Sequence, residues 1–251
     1  MKVLFKNITL LDENFQVREN CHTVVENAEI AAVTADSTVL QGEYDRVIDG
    51  TDKFLMPGFY NIHTHLAMSL LRGYAEDMKL QDWLFGKIFP FEAKLTHDDI
   101  YWGTKLCIAE CLRFGIVGVT DMYMDTSANA QAVLETGIKA NLALMAENGK
   151  SSDPYPFPKA EEWLREYHNK DEGRLKTDAY IHAEYTTREC FVRDVAAFAK
   201  ANGLNVHLHL SETKTEHEEC KERRNGRTPA AYFNDCGVFD NPTTAAHCVW
   251  V

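Results

Sequence analysis

Six short apolar runs, separated by longer helix-like stretches, dominate the chain after Pro57 and Gly58. The runs read GFYNIHTH, GIVGVTDMY, ANLALMA, AYIHAEY, LNVHLHL and TTAAHCVWV. Each is short and apolar enough to be a strand that is buried on both faces. Helical patterns such as DDIYWGTKLCIAECLRF and ECFVRDVAAFAKAN lie between them. Because parallel strands need a crossover connection, usually a helix, this alternation predicts an α/β fold with a parallel sheet.

The number of runs helps to decide which kind of parallel-sheet fold the chain forms. A (β/α)8 barrel of the TIM type has eight strands and typically about 250 residues, whereas six runs are found here. We therefore expect residues 56–251 to form a TIM-type barrel that is truncated before its last strands. An open barrel exposes unpaired strand edges and apolar surface. The chain is accordingly expected to be a fragment that is poorly soluble or inactive by itself.

Residues 1–55 follow a different pattern, in which apolar and polar residues alternate over short runs. The runs KVLFKNITLL, HTVVENAEIAAVTA and DRVIDG are interrupted by Asp, Asn and Gly, as half-exposed antiparallel strands are. This pattern predicts a small β-sandwich domain ahead of the barrel. Within the barrel, the proline-rich segment 151–163 is predicted to be a loop that leads into a helix.

Charge and composition argue against several classes of function. The formal net charge is −12, which on average repels a nucleic-acid backbone, and no stretch approaches the ~18 apolar residues of a membrane span. We expect a cytoplasmic protein that binds neither nucleic acid nor membranes. The densest basic run, KERRNGR at 221–227, is expected to be a solvated helix face. Seven scattered cysteines without a C-x-x-C pair favour reduced thiols.

Histidines are concentrated at the ends of the predicted strands. His63 and His65 stand in NIHTH, and His207 and His209 in NVHLH. Residues two apart on a strand point to the same face, and two converging imidazoles suit a divalent metal ion. A lone histidine in an apolar strand is usually a satisfied core residue, but burying two such pairs costs free energy unless they share a partner. Spacing alone leaves open which of His207 and His209 is a ligand.

Hydrolysis by a metal-activated water is the chemistry that these residues favour. H-E-x-x-H, G-x-S-x-G, a phosphate-binding glycine loop and the pairing of H-x-E with P-C-x-x-C are all absent from the sequence. Bound zinc can lower the pKa of water to about 7, and a nearby carboxylate can then move the protons. Glu212 lies three residues after His209, where its carboxylate can reach over a metal held by the strand.

Several segments resemble the amidohydrolase superfamily, in the branch of 5'-methylthioadenosine/S-adenosylhomocysteine deaminases, guanine deaminases and triazine chlorohydrolases. They are PGFYNIHTHLAMSLLRGYAEDMKLQDWL, FPFEAKLT, GVTDMY, HLSET, GRTPAAYF and AAHCVWV. The resemblance implies a metal-dependent hydrolytic deaminase of an amino-substituted nitrogen heterocycle, an adenosine-type purine nucleoside such as methylthioadenosine or S-adenosylhomocysteine first of all. A triazine-type chlorohydrolase or aminohydrolase is an alternative, and so is an inactive fragment that only binds metal.

The resemblance implies that His63, His65 and His209 are the ligands of one divalent metal ion, with His207 as the inward neighbour of His209. Relatives with two ions usually bridge them through a modified lysine on the fourth strand, and AYIHAEYTT contains no lysine. Zinc is the expected ion. Iron and manganese are alternatives, because imidazole suits all three.

The same resemblance implies roles for four further residues, Glu212, His247, His182 and Glu92. Glu212 becomes the proton shuttle between the water and a ring nitrogen of the substrate, and so also a substrate-binding residue, and His247 orients the water. His182 and Glu92 match substrate-binding positions, with the carboxylate taking ribose hydroxyl groups. Asp121 in GVTDMY is left without an assigned role. Relatives often pair, so a homo-oligomer stays open as a partner beside the small heterocyclic substrate.

Two features depart from the pattern of this branch. Its methylthioadenosine enzymes carry an arginine near the end of the third strand, whereas NLALMAENGK has none. Another amino-substituted heterocycle therefore stays open as the substrate. The branch also places a metal-binding aspartate at the end of its eighth strand, which six runs do not reach. The resemblance therefore implies the N-terminal portion of a longer enzyme.

Overall fold

The computed structural model describes residues 1–145 and 157–251 of the chain. They divide into two compact units, Met1–Gly58 and Phe59–Val251. The predicted boundary at residues 55 and 56 lies close to this division. Among the described helices, none is long and apolar enough to cross a lipid bilayer.

The smaller unit is built on one five-stranded sheet. Its strands are β1 (Lys2–Leu11), β2 (Val17–Glu26), β3 (Glu29–Thr34), β4 (Arg46–Asp49) and β5 (Phe54–Leu55). The order is β3-β2-β1-β4, with β5 also paired to β1. β2 is antiparallel to both β1 and β3, whereas β4 and β5 are parallel to β1. Residues 1–55 thus contribute a single sheet, and the second layer of the predicted sandwich stays a prediction.

The larger unit is a curved sheet of six parallel strands. They are β6 (Phe59–Thr64), β7 (Ile116–Asp121), β8 (Lys139–Ala143), β9 (Leu175–Ile181), β10 (Val206–Leu210) and β11 (Thr243–His247). Spatial order follows chain order from β6 to β11, and every neighbouring pair is parallel. The ring centroids of His63 and His247, from the first and last strands, are 5.2 Å apart. The sheet is therefore nearly closed, which confirms the predicted incomplete TIM-type barrel of about six strands.

Helices alternate with these strands, as the sequence predicts. They are α1 (Leu80–Trp83), α2 (Phe89–Glu92), α3 (His97–Arg113), α4 (Thr126–Thr136), α5 (Phe157–Tyr167), α6 (Lys170–Gly173), α7 (Glu189–Asn202), α8 (Lys214–Arg223) and α9 (Pro229–Asp235). A π-helical turn, Leu84–Ile88, joins α1 to α2. The predicted loop at 151–163 lies outside the described residues as far as residue 156, and its helix begins at Phe157.

The apolar core between the sheet and the helices decides which residues point into the barrel. Val206 and Leu208 of β10 are fully buried and belong to the same core cluster as Val195 of α7. Because successive residues of a strand point to opposite faces, His207 and His209 point away from α7 and into the barrel. The alternation of apolar residues along β10 thereby places two histidines on the face that lines the inside of the barrel.

Helix α3 supports the turn that follows β6 through a close backbone contact. Thr96 and Asp99 form a capping box that begins the helix. Further along it, a Cβ atom added to Gly103 would lie only 2.6 Å from the carbonyl oxygen of Ala67. Ala67 lies in the 3₁₀ turn Leu66–Leu71, which follows directly on His65. Glycine at 103 therefore lets the helix pack tightly against the segment that leaves the histidines.

We expect Gly103→Ala to lower the free energy of unfolding by about 1–3 kcal/mol, the usual cost of overpacking, even though alanine favours a helix by ~1 kcal/mol over glycine. Gly86→Ala is the matched control, since a Cβ at Gly86 would meet no atom within 4 Å, and it should not destabilise the protein. Urea unfolding measures both variants against the parent. Equal stability of the two variants would contradict the close contact.

Candidate active site

His63 in β6 and His65 directly after it meet histidines of β10 and β11 at the carboxyl ends of the strands. The ring centroid of His63 lies 5.0 Å from that of His65, 4.9 Å from that of His209 and 5.2 Å from that of His247. The rings of His65 and His209 are 5.3 Å apart. This edge of a barrel is where active sites of TIM-type enzymes form. The structure thus gathers histidines from three strands at the place where the fold favours a site.

Backbone carbonyl groups orient two of these rings. Nδ1 of His65 contacts the carbonyl oxygen of Met122, and Nδ1 of His209 lies 2.7 Å from that of His182. Because a carbonyl oxygen only accepts hydrogen bonds, each Nδ1 carries the proton, and each Nε2 of the neutral ring carries a lone pair. The two Nε2 atoms face each other at 3.3 Å. A cation between them would satisfy both lone pairs.

Burial keeps the imidazoles in the neutral form that a metal requires. Desolvation lowers the pKa of His63 to about 4, and the neighbouring His65 and His247 add to the effect. Desolvation is also the main cause that lowers the pKa of His65 and of His209. The ligand atoms of His63, His209 and His247 all lie within 4.8 Å of one another. The described residues therefore fit a divalent metal ion.

This group of three differs from the predicted ligand set in one member. The sequence predicts His63, His65 and His209, whereas the group within 4.8 Å contains His247 in place of His65. His65 is nevertheless in reach, through the 3.3 Å contact between its Nε2 and that of His209. All four imidazoles border one position, and the choice of ligands among them stays a prediction.

His207 lies deeper along β10 and is fully buried. Its Nε2 is 3.0 Å from Nδ1 of His63. When Nδ1 of His63 donates this bond, Nε2 of His63 is left with a free lone pair, as it is in His65 and His209. The contact thus places His207 beside His63, and its expected role as the inward neighbour of His209 stays a prediction.

Glu212 and His247 are the two predicted catalytic residues, and Glu212 faces His247 at the edge of the histidine group. Oε2 of Glu212 lies 3.6 Å from Nε2 of His247. Burial raises the pKa of Glu212 and lowers that of His247. His247 and Cys248 have left-handed backbone angles, with φ of 74° and 52°, and the N–H of Cys248 donates to the Leu210 carbonyl at 2.9 Å. This turn directs the end of β11 back toward β10.

Of the predicted substrate-binding residues, His182 borders the histidine group. The His182 ring lies 4.9 Å from the His209 ring and 6.1 Å from the ring of Phe89, which begins the short helix that ends at Glu92. Burial lowers the pKa of His182 to about 4 and raises that of Glu92. An interaction with Tyr123, which no sequence pattern singles out, opposes the shift of Glu92.

Two buried carboxylates support turns that carry site residues. Oδ1 of Asp121 accepts the N–H of Leu66 at 2.6 Å, directly after His65, and burial raises the pKa of Asp121 to about 7. Glu216 accepts the N–H groups of the two residues that follow β10. Sequence reasoning missed both roles. The spacing of Thr213 and Glu216, typical of a capping box, is the signal that would have marked the second.

A third buried carboxylate corrects the expectation for the basic run 221–227. Glu184, whose side chain has no exposed surface, accepts from Nη2 of Arg223 at 2.6 Å and from Nε of Arg224 at 2.8 Å. The guanidinium of Arg224 also lies 4.2 Å from the Tyr232 ring centroid. A solvated helix face is therefore wrong for Arg224, which is largely covered, whereas Arg223 is exposed as well as ion-paired. They tie the end of α8 to the loop after β9, which begins at His182.

Comparison with known proteins identifies the family. Residues 54–251 match the model of the amidohydrolase family. The chain belongs to the amidohydrolase family. This amidohydrolase is 38% identical to a 5-methylthioadenosine/S-adenosylhomocysteine deaminase of Thermoanaerobacter pseudethanolicus, over 100% of this chain and 58% of that protein. It is 37% identical to a protein of the same name from Dictyoglomus turgidum, with the same coverage. The chain thus spans about 58% of the length of these relatives.

Two deaminases are among the solved structures of similar fold. An adenosine deaminase from Xanthomonas campestris with bound zinc superimposes with a TM-score of 0.88 at 26% identity, over 99% of this chain and 58% of that chain. A guanine deaminase from C. acetobutylicum with bound guanine gives 0.86 at 20% identity, over 100% and 63%. At 20% identity the second likeness shows the fold alone. Both confirm the barrel that the sequence predicts.

Proposed function

We propose that this amidohydrolase is a metal-dependent hydrolytic deaminase of an amino-substituted nitrogen heterocycle. Adenosine-type purine nucleosides, with methylthioadenosine and S-adenosylhomocysteine first, are the proposed substrates. The convergence of four imidazoles with the carboxylate of Glu212 at the carboxyl edge of the barrel carries the proposal. The two relatives named 5-methylthioadenosine/S-adenosylhomocysteine deaminase support the substrate class.

His63, His65 and His209 are the proposed ligands of one divalent ion, with zinc first. The facing Nε2 lone pairs of His65 and His209 support this choice, as does the zinc bound in the adenosine deaminase of similar fold. When bound, the ion supplies a Lewis acid that lowers the pKa of the attacking water. The chain's own contribution is to keep the three imidazoles neutral and their lone pairs aimed at one position.

Glu212 is proposed to carry protons during the reaction. Its raised pKa makes the carboxylate a stronger base than an exposed glutamate. It can therefore accept a proton from the water and deliver it to a ring nitrogen of the heterocycle. His247, neutral because burial lowers its pKa, is proposed to orient the water through a ring nitrogen. Glu212, ionised again after this transfer, is proposed to take the second proton from the added oxygen and pass it to the amino group, which leaves as ammonia as the C–N bond breaks and the C=O bond forms.

Glu92 and His182 are proposed to bind the substrate beside the reacting centre. Both residues are half-buried, so each keeps an exposed part that a ligand can contact. The carboxylate of Glu92 suits ribose hydroxyl groups, which donate hydrogen bonds to it. The His182 ring, 4.9 Å from that of His209, lies close enough to the histidine group to contact the heterocycle.

The proposal is tested by a screen for ammonia release. We expect the zinc-loaded protein, expressed from its complete reading frame, to release ammonia from methylthioadenosine or S-adenosylhomocysteine faster than from guanine. Chloride release from a chlorotriazine is measured in parallel, and chelator-treated protein is the control. Ammonia release from no purine would contradict the deaminase proposal. Chloride release alone would favour the triazine alternative.

A further inference from the structure

One buried side chain holds the turn that follows β10. Oε1 of Glu216 lies 3.1 Å from the backbone nitrogen of Ser211, and Oε2 lies 2.8 Å from that of Glu212. The two oxygens of one carboxylate therefore accept from two consecutive N–H groups. Glu216 is only 2% exposed, so water does not compete for these bonds. Ser211 has a left-handed φ of 50°, a conformation that a serine keeps only where its surroundings hold it.

The turn after β10, formed by Ser211 and Glu212, contains one proposed catalytic residue and contacts the backbone just after the other. Glu212 is the residue within the turn. On its other side, the carbonyl oxygen of Ser211 accepts the N–H groups of Val249 at 3.1 Å and Trp250 at 3.0 Å, two and three residues after His247. The turn therefore holds the backbone of Glu212 and, through Ser211, the backbone just after His247. These two side chains make the 3.6 Å contact.

Glu216 is itself held in place by the start of α8. Thr213 is the N-cap of this helix, and its Oγ1 accepts the N–H of Glu216 at 3.1 Å. In an ordinary capping box the carboxylate at this position returns to the N–H of the N-cap residue. Here it reaches past Thr213 to the two residues before it. The side chain therefore links the helix to the turn rather than only closing the helix end.

We propose that Glu216 is a positioning residue for the deamination, through its bonds to the N–H groups of Ser211 and Glu212. It touches neither the substrate nor the reacting water and acts through the backbone that carries the Glu212 carboxylate. The inference rests on the proposed role of Glu212 as proton carrier. A displacement of about 1 Å in a reacting group can cost on the order of 100-fold in rate, so the loss of one backbone bond at this turn is measurable.

Glu216→Gln tests the proposal, because glutamine keeps the shape but replaces one acceptor oxygen by an amide nitrogen that cannot accept. In the zinc-loaded protein from the complete reading frame, we expect kcat to fall about 10- to 100-fold, while KM changes less than about threefold. Zinc content per chain is expected to stay the same. Hydrogen exchange at the N–H groups of Ser211 and Glu212 is expected to become faster.

Glu222→Gln is the matched control, since Glu222 is an exposed glutamate on the same helix and its replacement should leave kcat and exchange unchanged. Glu216→Asp is the conservative variant. It keeps the charge but is too short to reach both N–H groups, so an intermediate fall in kcat is expected. If Glu216→Gln proves unstable, the aspartate variant gives the same comparison.

Two results would overturn the positioning role. One is a kcat for Glu216→Gln equal to that of Glu222→Gln despite faster exchange at the turn. The other is a loss of activity that only matches the unfolded fraction measured by circular dichroism. A parent protein that releases no ammonia would instead refute the proposed function, and with it any catalytic role of Glu216. Hydrogen exchange would still report on the two backbone bonds. It therefore distinguishes a failure of the positioning role from a failure of the proposed function.

Discussion

His209→Ala is expected to lower the affinity for zinc by more than about 100-fold, since even the loss of an outer partner of a ligand costs about 10- to 100-fold, and to abolish ammonia release. His209 is central to the group, because its ring lies 4.9 Å from that of His63 and 5.3 Å from those of His65 and His247. The substitution also removes the lone pair that faces Nε2 of His65.

Zinc per chain, measured by elemental mass spectrometry after competition with a chelator, tests this expectation. His168→Ala is the control. His168 bonds to the Thr177 hydroxyl at 3.0 Å and is not part of the histidine group, so its variant should keep both zinc and activity. Wild-type zinc affinity in His209→Ala would refute its assignment as a ligand.

Glu212→Gln is expected to lower kcat by about 10²- to 10⁴-fold, the range that general acid–base catalysis supplies. Glutamine cannot take up a proton, but it matches glutamate in size, so zinc content and KM should change little. The parent should also lose activity as the pH falls through the raised pKa of Glu212, because the protonated carboxyl no longer accepts a proton. The variant should lack this acidic limb.

Steady-state kinetics over a range of pH, with Glu222→Gln as the control, measures both effects. An unchanged kcat in Glu212→Gln would assign the proton transfer to another group. A fall in kcat with an unchanged acidic limb would show that Glu212 contributes to the rate without being the residue that titrates.

Local patterns in the sequence are enough to predict the strands and the direction of their side chains. All six apolar runs contain strands, as their apolar character predicts. The expected burial on both faces is wrong for β6, where Phe59, Tyr60 and Ile62 are 55%, 60% and 68% exposed. The two-residue period places His207 and His209 on one face, and the buried Val206 and Leu208 on the other. These relations span a few residues, so a sequence displays them directly.

Relations across the barrel are not visible in this way. His63 and His247 come together at 5.2 Å because the sheet twists and curls, and no local pattern records how far it closes. The bonds of His65 and His209 to backbone carbonyls are equally hidden, since every residue has a carbonyl. For Glu216 the pattern is present, but it predicts an ordinary helix cap and not the bonds to the turn.

His182 serves the histidine group in two separable ways. Its carbonyl oxygen orients His209, whereas its ring borders the proposed substrate position. A carbonyl is supplied by any amino acid, so the ring can be exchanged while the ligand keeps its tautomer, provided that the backbone path is kept. The carbonyl oxygen of Met122 orients His65 in the same way. If the proposed site is correct, the side chains around the proposed substrate position can vary while the backbone that orients the proposed metal ligands stays constant.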